Sequence, residues 1–158
     1  MTGSKGATAV TWVSVTLLSL AGAVLTVITW DDLVTSDRVS NLAATPAAIL
    51  YATLGALVVR RAHNVIGWLL LGEGAGMAVM GSASAYAVLG ITHTGTLPAP
   101  EAVGLLAEWS FVPVFSALGF MLLLFPSGKL PSPRWRPFAG LALVATALEI
   151  AGFVVHPS

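Results

Sequence analysis

Residues 43–92 read AATPAAILYATLGALVV, RRAHN, VIGWLLLGEGAGMAVMGSASAYAVLGIT: two apolar runs joined by a short turn that opens with paired arginines. A helix rises about 1.5 Å per residue, so each run approaches or exceeds the ~30 Å of a bilayer's hydrocarbon layer. A hairpin of two membrane helices with a basic turn is the direct reading. Outward from it the alternation repeats. Apolar stretches cover residues 8–30, 43–59, 65–92, 104–125 and 138–155, with short polar connections between them. With the N-terminus in the cytoplasm, Lys5, Arg60, Arg61, Lys129, Arg134 and Arg136 fall inside, and of the 7 Lys+Arg only Arg38 falls outside. Cytoplasmic loops of multi-pass proteins show this bias. The expected object is one membrane domain over residues 1–158. It is all-α, a polytopic transmembrane helical bundle of about five spans, in the cell membrane with its N-terminus cytoplasmic and its C-terminus external.

Composition agrees. The chain has 158 residues, of which 9% are charged and 56% hydrophobic, whereas a soluble domain carries about 25% charged residues. Too few charges are present to cover a water-facing surface. The formal net charge is zero, so no broad basic face is offered to nucleic acid. Cysteine is absent, which removes disulfides, zinc thiolates and thiol catalysis. Lys5 and the small-residue run Ala21-Gly22-Ala23 imitate a cleavable signal. The apolar run continues to Trp30, however, and an uncleaved anchor is the better reading. Trp12 and Trp30 bracket it at a spacing of about 27 Å, which places the indoles at opposite interfaces.

Within these runs, local chemistry predicts bends and contacts. Ser36–Asp37 suits the start of a short interfacial helix after the Asp-rich loop. Pro46 stands near the beginning of the second run, where a missing N–H costs least. Pro113 lies mid-run and withholds a hydrogen bond from the carbonyl of Trp109, so a kink is expected there. Gly72 and Gly76 form a GxxxG pair, and Gly74, Ala78 and Ser82 continue a small-residue ridge. Such ridges let helix backbones approach closely. A homodimer seam and an internal helix contact both fit, the internal contact better because four other runs need partners.

Two stretches resemble a known family. Arg60–Leu71, RRAHNVIGWLLL, is similar to the RRxxNPIGWLL start of a membrane helix, and Leu122–Pro137, LLLFPSGKLPSPRWRP, is similar to a loop reading LLLFPDGRLPSPRWRP. Both patterns belong to the N-terminal multi-pass membrane regions of actinobacterial sensor histidine kinases. Val65 replaces the family's proline and lifts that restraint on the helix start. No phospho-accepting histidine on a dimerisation helix and no glycine-rich ATP-binding domain is legible, and His63 sits in a short turn. The resemblance therefore implies a sensory, two-component-type input module and gives no warrant for kinase activity unless the chain belongs to a longer sensor kinase; no nucleophile–base–acid set is legible, so an enzyme is not expected. It implies a cytoplasmic signalling partner, docked on Arg60, Arg61, Lys129, Arg134, Trp135 and Arg136. The plainer role for Arg134, Trp135 and Arg136 is to anchor the last run among lipid headgroups.

Glu73, Glu108 and Glu149 are acids inside apolar runs, with no intramembrane base to pair them. Charge near a bilayer's centre is expensive, so each is a functional candidate: neutral, hydrogen-bonded to hydroxyls, or facing water. Glu73 shares a helical face with Met77, Met80 and Ser84. Glu108 lies near the outer surface, where a snorkelling carboxylate is the plain reading. Glu149 and His156 are seven residues apart on one face. A water-filled outer cleft joining Glu108, Glu149, His156 and the Pro113 kink is the sharpest site expectation; separately satisfied carboxyls are the plainer one. His63, His93 and His156 sit on different connections without ligand spacing, so neither metal nor cofactor is expected. Sensory input thus leads. Its rivals are a small transporter or channel using the buried glutamates, and a structural subunit of a membrane complex. A fluorescent reporter fused after Leu130 is expected to light up and alkaline phosphatase fused there to stay inactive; phosphatase activity at that position would reverse the topology.

Overall fold

A computed structural model describes residues 2–62, 64–93 and 97–155, with side chains described between residues 6 and 152. His63 and His156 lie outside the described residues. The elements are α1 (Thr2–Ile28), α2 (Thr35–Ala62), α3 (Val65–Thr92), α4 (Pro100–Leu124) and α5 (Arg136–Val155), with a 3-10 turn at Pro133–Trp135 before the last. No strand occurs among the described residues. Gly6–Ile28 and the whole of α2, α3 and α4 are long and apolar enough to cross a membrane. The chain is an all-α helical bundle.

The distribution of side chains on α1 shows which solvent the bundle is built for. Val15, Ser19, Gly22, Thr26 and Thr29 recur every three or four residues and are buried, as is Thr8 two turns before Val15, while Leu17 (63% exposed) and Val24 (59%) face outward with Val10 and Val27. A helix packed in water shows the reverse pattern. The buried hydroxyls turn back on their own helix: Ser19 donates to the Val15 carbonyl at 2.7 Å and Thr26 to the Gly22 carbonyl at 2.9 Å. That bonding lets polar atoms sit inside without stranded donors.

Helix α3 is the hub. Its small residues meet α1, α2 and α4 on three sides, and no Cα of α4 comes within 8 Å of one in α1 or α2. A Cβ on Gly74 would lie 2.6 Å from the Ala48 carbonyl oxygen, and one on Gly55 would lie 2.7 Å from the Gly67 oxygen, so α2 and α3 run antiparallel with backbones touching. Gly22 of α1 meets Ser82, Gly76 meets Val114 of α4, and Gly90 meets Pro100. The ridge is therefore internal at Gly74, Gly76, Ala78 and Ser82. Gly72 alone of the GxxxG pair faces open space. In lipid, where burying apolar surface brings no gain between helices, this close van der Waals contact holds the bundle.

The boundaries differ from expectation in one instructive place. α2 begins at Thr35 rather than near residue 43, and Pro46 lies inside it. The supposed loop is helical because the buried stripe Ala48, Ala52, Gly55 and Val59 extends upstream through Asn41, which also packs against α3. Asp37 sits in the first turn, as a helix N-terminus favours. α4 likewise runs unbroken through Pro113. Trp12 turns inward: its indole N–H donates to the Thr53 hydroxyl at 2.9 Å. Trp30 stays at the far end under the Arg38 guanidinium, 5.2 Å from its ring centroid.

Gly74→Leu is expected to cost about 3 kcal/mol of stability, the upper range for overpacking. Gly72→Leu should stay within about 0.5 kcal/mol, as for an uncontacted site. Unfolding of both variants in maltoside micelles checks this, and a loss at Gly72 would locate a partner on that open face.

Candidate functional site

Because α2 and α4 flank α3 without touching each other, a crevice runs between them with α3 as its floor. Glu73 lies on that floor. It is 1% exposed, and its Oε2 has no hydrogen-bond partner. In a bundle whose hydroxyls bond to their own helices, an orphaned carboxyl oxygen is the exception; a buried polar atom left unpaired costs about 1–3 kcal/mol. Ile66, one heptad toward the Arg60 end on the same face, is buried as well. In the opposite direction the face continues through Met77 to Met80 and Ser84.

Met80 and Ser84 line a groove of about 550 Å³ together with Asp37, Ser40 and Asn41 of α2 and Ala107, Glu108 and Phe111 of α4. Asn41 is 8% exposed and its Nδ2 is the second buried atom without a partner. On its other side it borders a water-sized space with Ser19, Thr45 and Ser82. Ser84 stands about 16 Å along α3 from Glu73, at 1.5 Å per residue. The groove is thus a polar mouth, and Glu73 a single acid at depth.

Charges segregate by end. Asp31, Asp32, Asp37, Glu101 and Glu108 lie at the end where α2 and α4 begin, while Arg60, Arg61, Lys129, Arg134 and Arg136 lie at the other. At the basic end the two motifs meet in space. Asn64 accepts from the Ile66 amide at 3.1 Å as the N-cap of α3, and its Nδ2 donates to the Pro126 carbonyl at 3.2 Å. Gly128 packs on that same side chain with φ +73°, a conformation natural to glycine, and its N–H donates to the Leu124 carbonyl at 2.8 Å. Lys129 and Arg136 line a hollow in the following loop, and Trp135 lies against Phe138 with ring centroids 5.7 Å apart.

The glutamates expected from sequence separate. Glu73 is buried, Glu108 lines the groove, and Glu149 is exposed on α5, which lines no part of the groove. α5 is held to α4 by the Ser116–Thr146 hydroxyl pair at 2.8 Å. Glu108 is therefore grouped with Asp37 rather than with Glu149, and His156 falls outside the described residues. Among those residues no group of three metal-ligating side chains assembles. Asn41, Phe111 and the Asn64 tie were not singled out from sequence, and Asp37 only as a helix start. The Asp37–Asn41 pair was findable by running the α2 stripe upstream at helical spacing; the Asn64–Pro126 contact, 62 residues apart, had no local signal. No family model, curated protein or solved structure matches the chain.

Asn64→Ala removes both the α3 cap and the tie to Pro126. It is expected to cost about 1 kcal/mol and to speed amide exchange at residues 127–129, whereas Arg61→Ala should alter neither.

Proposed function

We propose that this bundle is a membrane signal-input module, in which occupancy of the crevice between α2 and α4 biases the arrangement of α3 and is read at the basic end. The observation that carries the reading is Glu73: 1% exposed, with an unpartnered oxygen, on the one helix that touches α1, α2 and α4 together. An ionisable side chain held this way inside a membrane bundle is a functional site by default. Glu73 lines none of the open hollows described above and is enclosed by protein, which suits a buried site better than a passage. The foot of α3 is Asn64, which grips the loop after α4, so movement of α3 reaches Lys129 and the Arg134–Arg136 turn directly. The resemblance of Arg60–Leu71 and Leu122–Pro137 to sensor-kinase membrane regions supports the same reading, since those two stretches are the ones joined here. A ligand drives such a module only by binding its two arrangements unequally.

Glu73→Leu, which removes the orphaned oxygen and fills the same space with hydrocarbon, is expected to change amide exchange at residues 127–130 at least threefold without loss of fold. Proteoliposomes of the parent chain should show no proton flux above protein-free vesicles. Unchanged exchange together with a flux abolished by Glu73→Gln would replace input with transport.

A further inference from the structure

We propose that a trough between α1 and α2 at the basic end holds one anionic phospholipid, its phosphate at Arg60 and an acyl chain in the trough. The site lies apart from the crevice between α2 and α4 and does not depend on the input reading. The trough, about 360 Å³, is lined by Ala9, Trp12 and Val13 of α1 and Ala56, Leu57 and Arg60 of α2. Trp12 ties the two helices together, its indole N–H donating to the Thr53 hydroxyl at 2.9 Å. Thr53 donates onward to the Ile49 carbonyl at 2.7 Å, and the buried Thr8 at the edge has a partner of its own. Val13 and Leu57, each 46% exposed, present hydrocarbon beside them. Away from Arg60 the lining therefore suits an alkyl chain.

Charge and depth choose the occupant. Arg60 is exposed in the last turn of α2, and Thr53 lies seven residues before it, about 10 Å along the helix. The trough thus starts at an arginine and runs along the helix axis into apolar surface, the order of groups in a phospholipid. Arginine lays its stem on hydrocarbon and keeps its head at the interface, where its forked donors match phosphate. No side-chain carboxylate competes for it. Of the chain's 7 acids, Asp31, Asp32, Asp37, Glu101 and Glu108 lie at the opposite end. Glu149 is about 20 Å along α5 from Arg136. Glu73 neighbours Gly74, which packs on Ala52, about 12 Å along α2 from Arg60. Basic pockets between membrane helices select acidic headgroups on these grounds. A second hollow between the same helices, from Leu20 to Ile28 of α1 with Leu42 of α2, is lined by aliphatic side chains alone among the described residues. Lipid there is held without regard to its head; at Arg60 the head is read. A second copy of the chain fits worse, since a twofold contact through this trough would set Arg60 against Arg60.

The test is native mass spectrometry of the full chain released from maltoside micelles, titrated with phosphatidylglycerol and with phosphatidylcholine of the same acyl chains. One phosphatidylglycerol should be retained, with at least fivefold the affinity of phosphatidylcholine. Arg60→Gln should bring the two lipids within twofold of each other, while Arg61→Gln, next in sequence, should keep the preference. Ala9→Leu fills the trough and should weaken both lipids threefold or more with its melting temperature held; if that variant does not fold, the two arginine variants decide. Glycerol 1-phosphate, a head without chains, should not displace the lipid at equal concentration. Equal retention of the two lipids, a preference that survives Arg60→Gln, or displacement by glycerol 1-phosphate would each overturn the proposal. Parent-like binding by a folded Ala9→Leu chain, or a dimer that forms in place of the lipid adduct, would do the same.

Discussion

Backbone-to-backbone contact along α3 is the constraint on which the other features depend. A bilayer gives apolar helices no reason to leave lipid for one another, so association has to come from packing at short range. Gly55, Gly67 and Gly74 on the α2 side, Gly22 on the α1 side and Gly76 and Gly90 on the α4 side remove the side chains that would hold the axes apart. Leucine and valine are then free for the outer surface, where Leu122 is 74% exposed. The same economy puts α3 in contact with three helices at once and leaves α2 and α4 separated.

That separation gives the polar groups their place. A carboxylate facing hydrocarbon on an outer helix surface is costly, whereas one on the floor of a crevice shares its surroundings with protein. Glu73 occupies such a floor, and the acids near the mouth line a space that opens at one end. The opposite end is knit together by Asn64, whose side chain caps one helix and holds the loop leaving another. The polar opening and the tied loop thus lie at opposite ends of the one helix that contacts α1, α2 and α4.

Much of this architecture was legible in the residues themselves. The alternation of apolar runs with short polar turns located the five helices, and four of the five expected spans are long and apolar enough among the described residues to cross a membrane. The inward sense of the small-residue ridge followed from the number of helices needing neighbours. What escaped was whatever depended on two distant segments meeting. The start of α2 was masked because Thr35–Asn41 is polar by composition while helical by packing, so a hydropathy boundary fell some eight residues late. That Glu108 shares a groove with Asp37 of α2 was not legible, because lateral position is set by which helix faces which. Periodicity along one helix carries no information about the angle at which a neighbour docks.

Helix α5 stands apart from the rest in how it is held. One hydroxyl pair and a few small residues join it to α4, and its first turn is fixed by the proline-rich loop. Helices adapt to bilayers of different thickness by tilting, at a cost of fractions of a kcal/mol per ångström of mismatch. In α1, α2 and α4 that adjustment is resisted by the glycine contacts that hold each of them to α3. No glycine of α5 makes such a contact, Gly140 and Gly152 having nothing within 4 Å, so α5 is the helix freest to tilt against its neighbours.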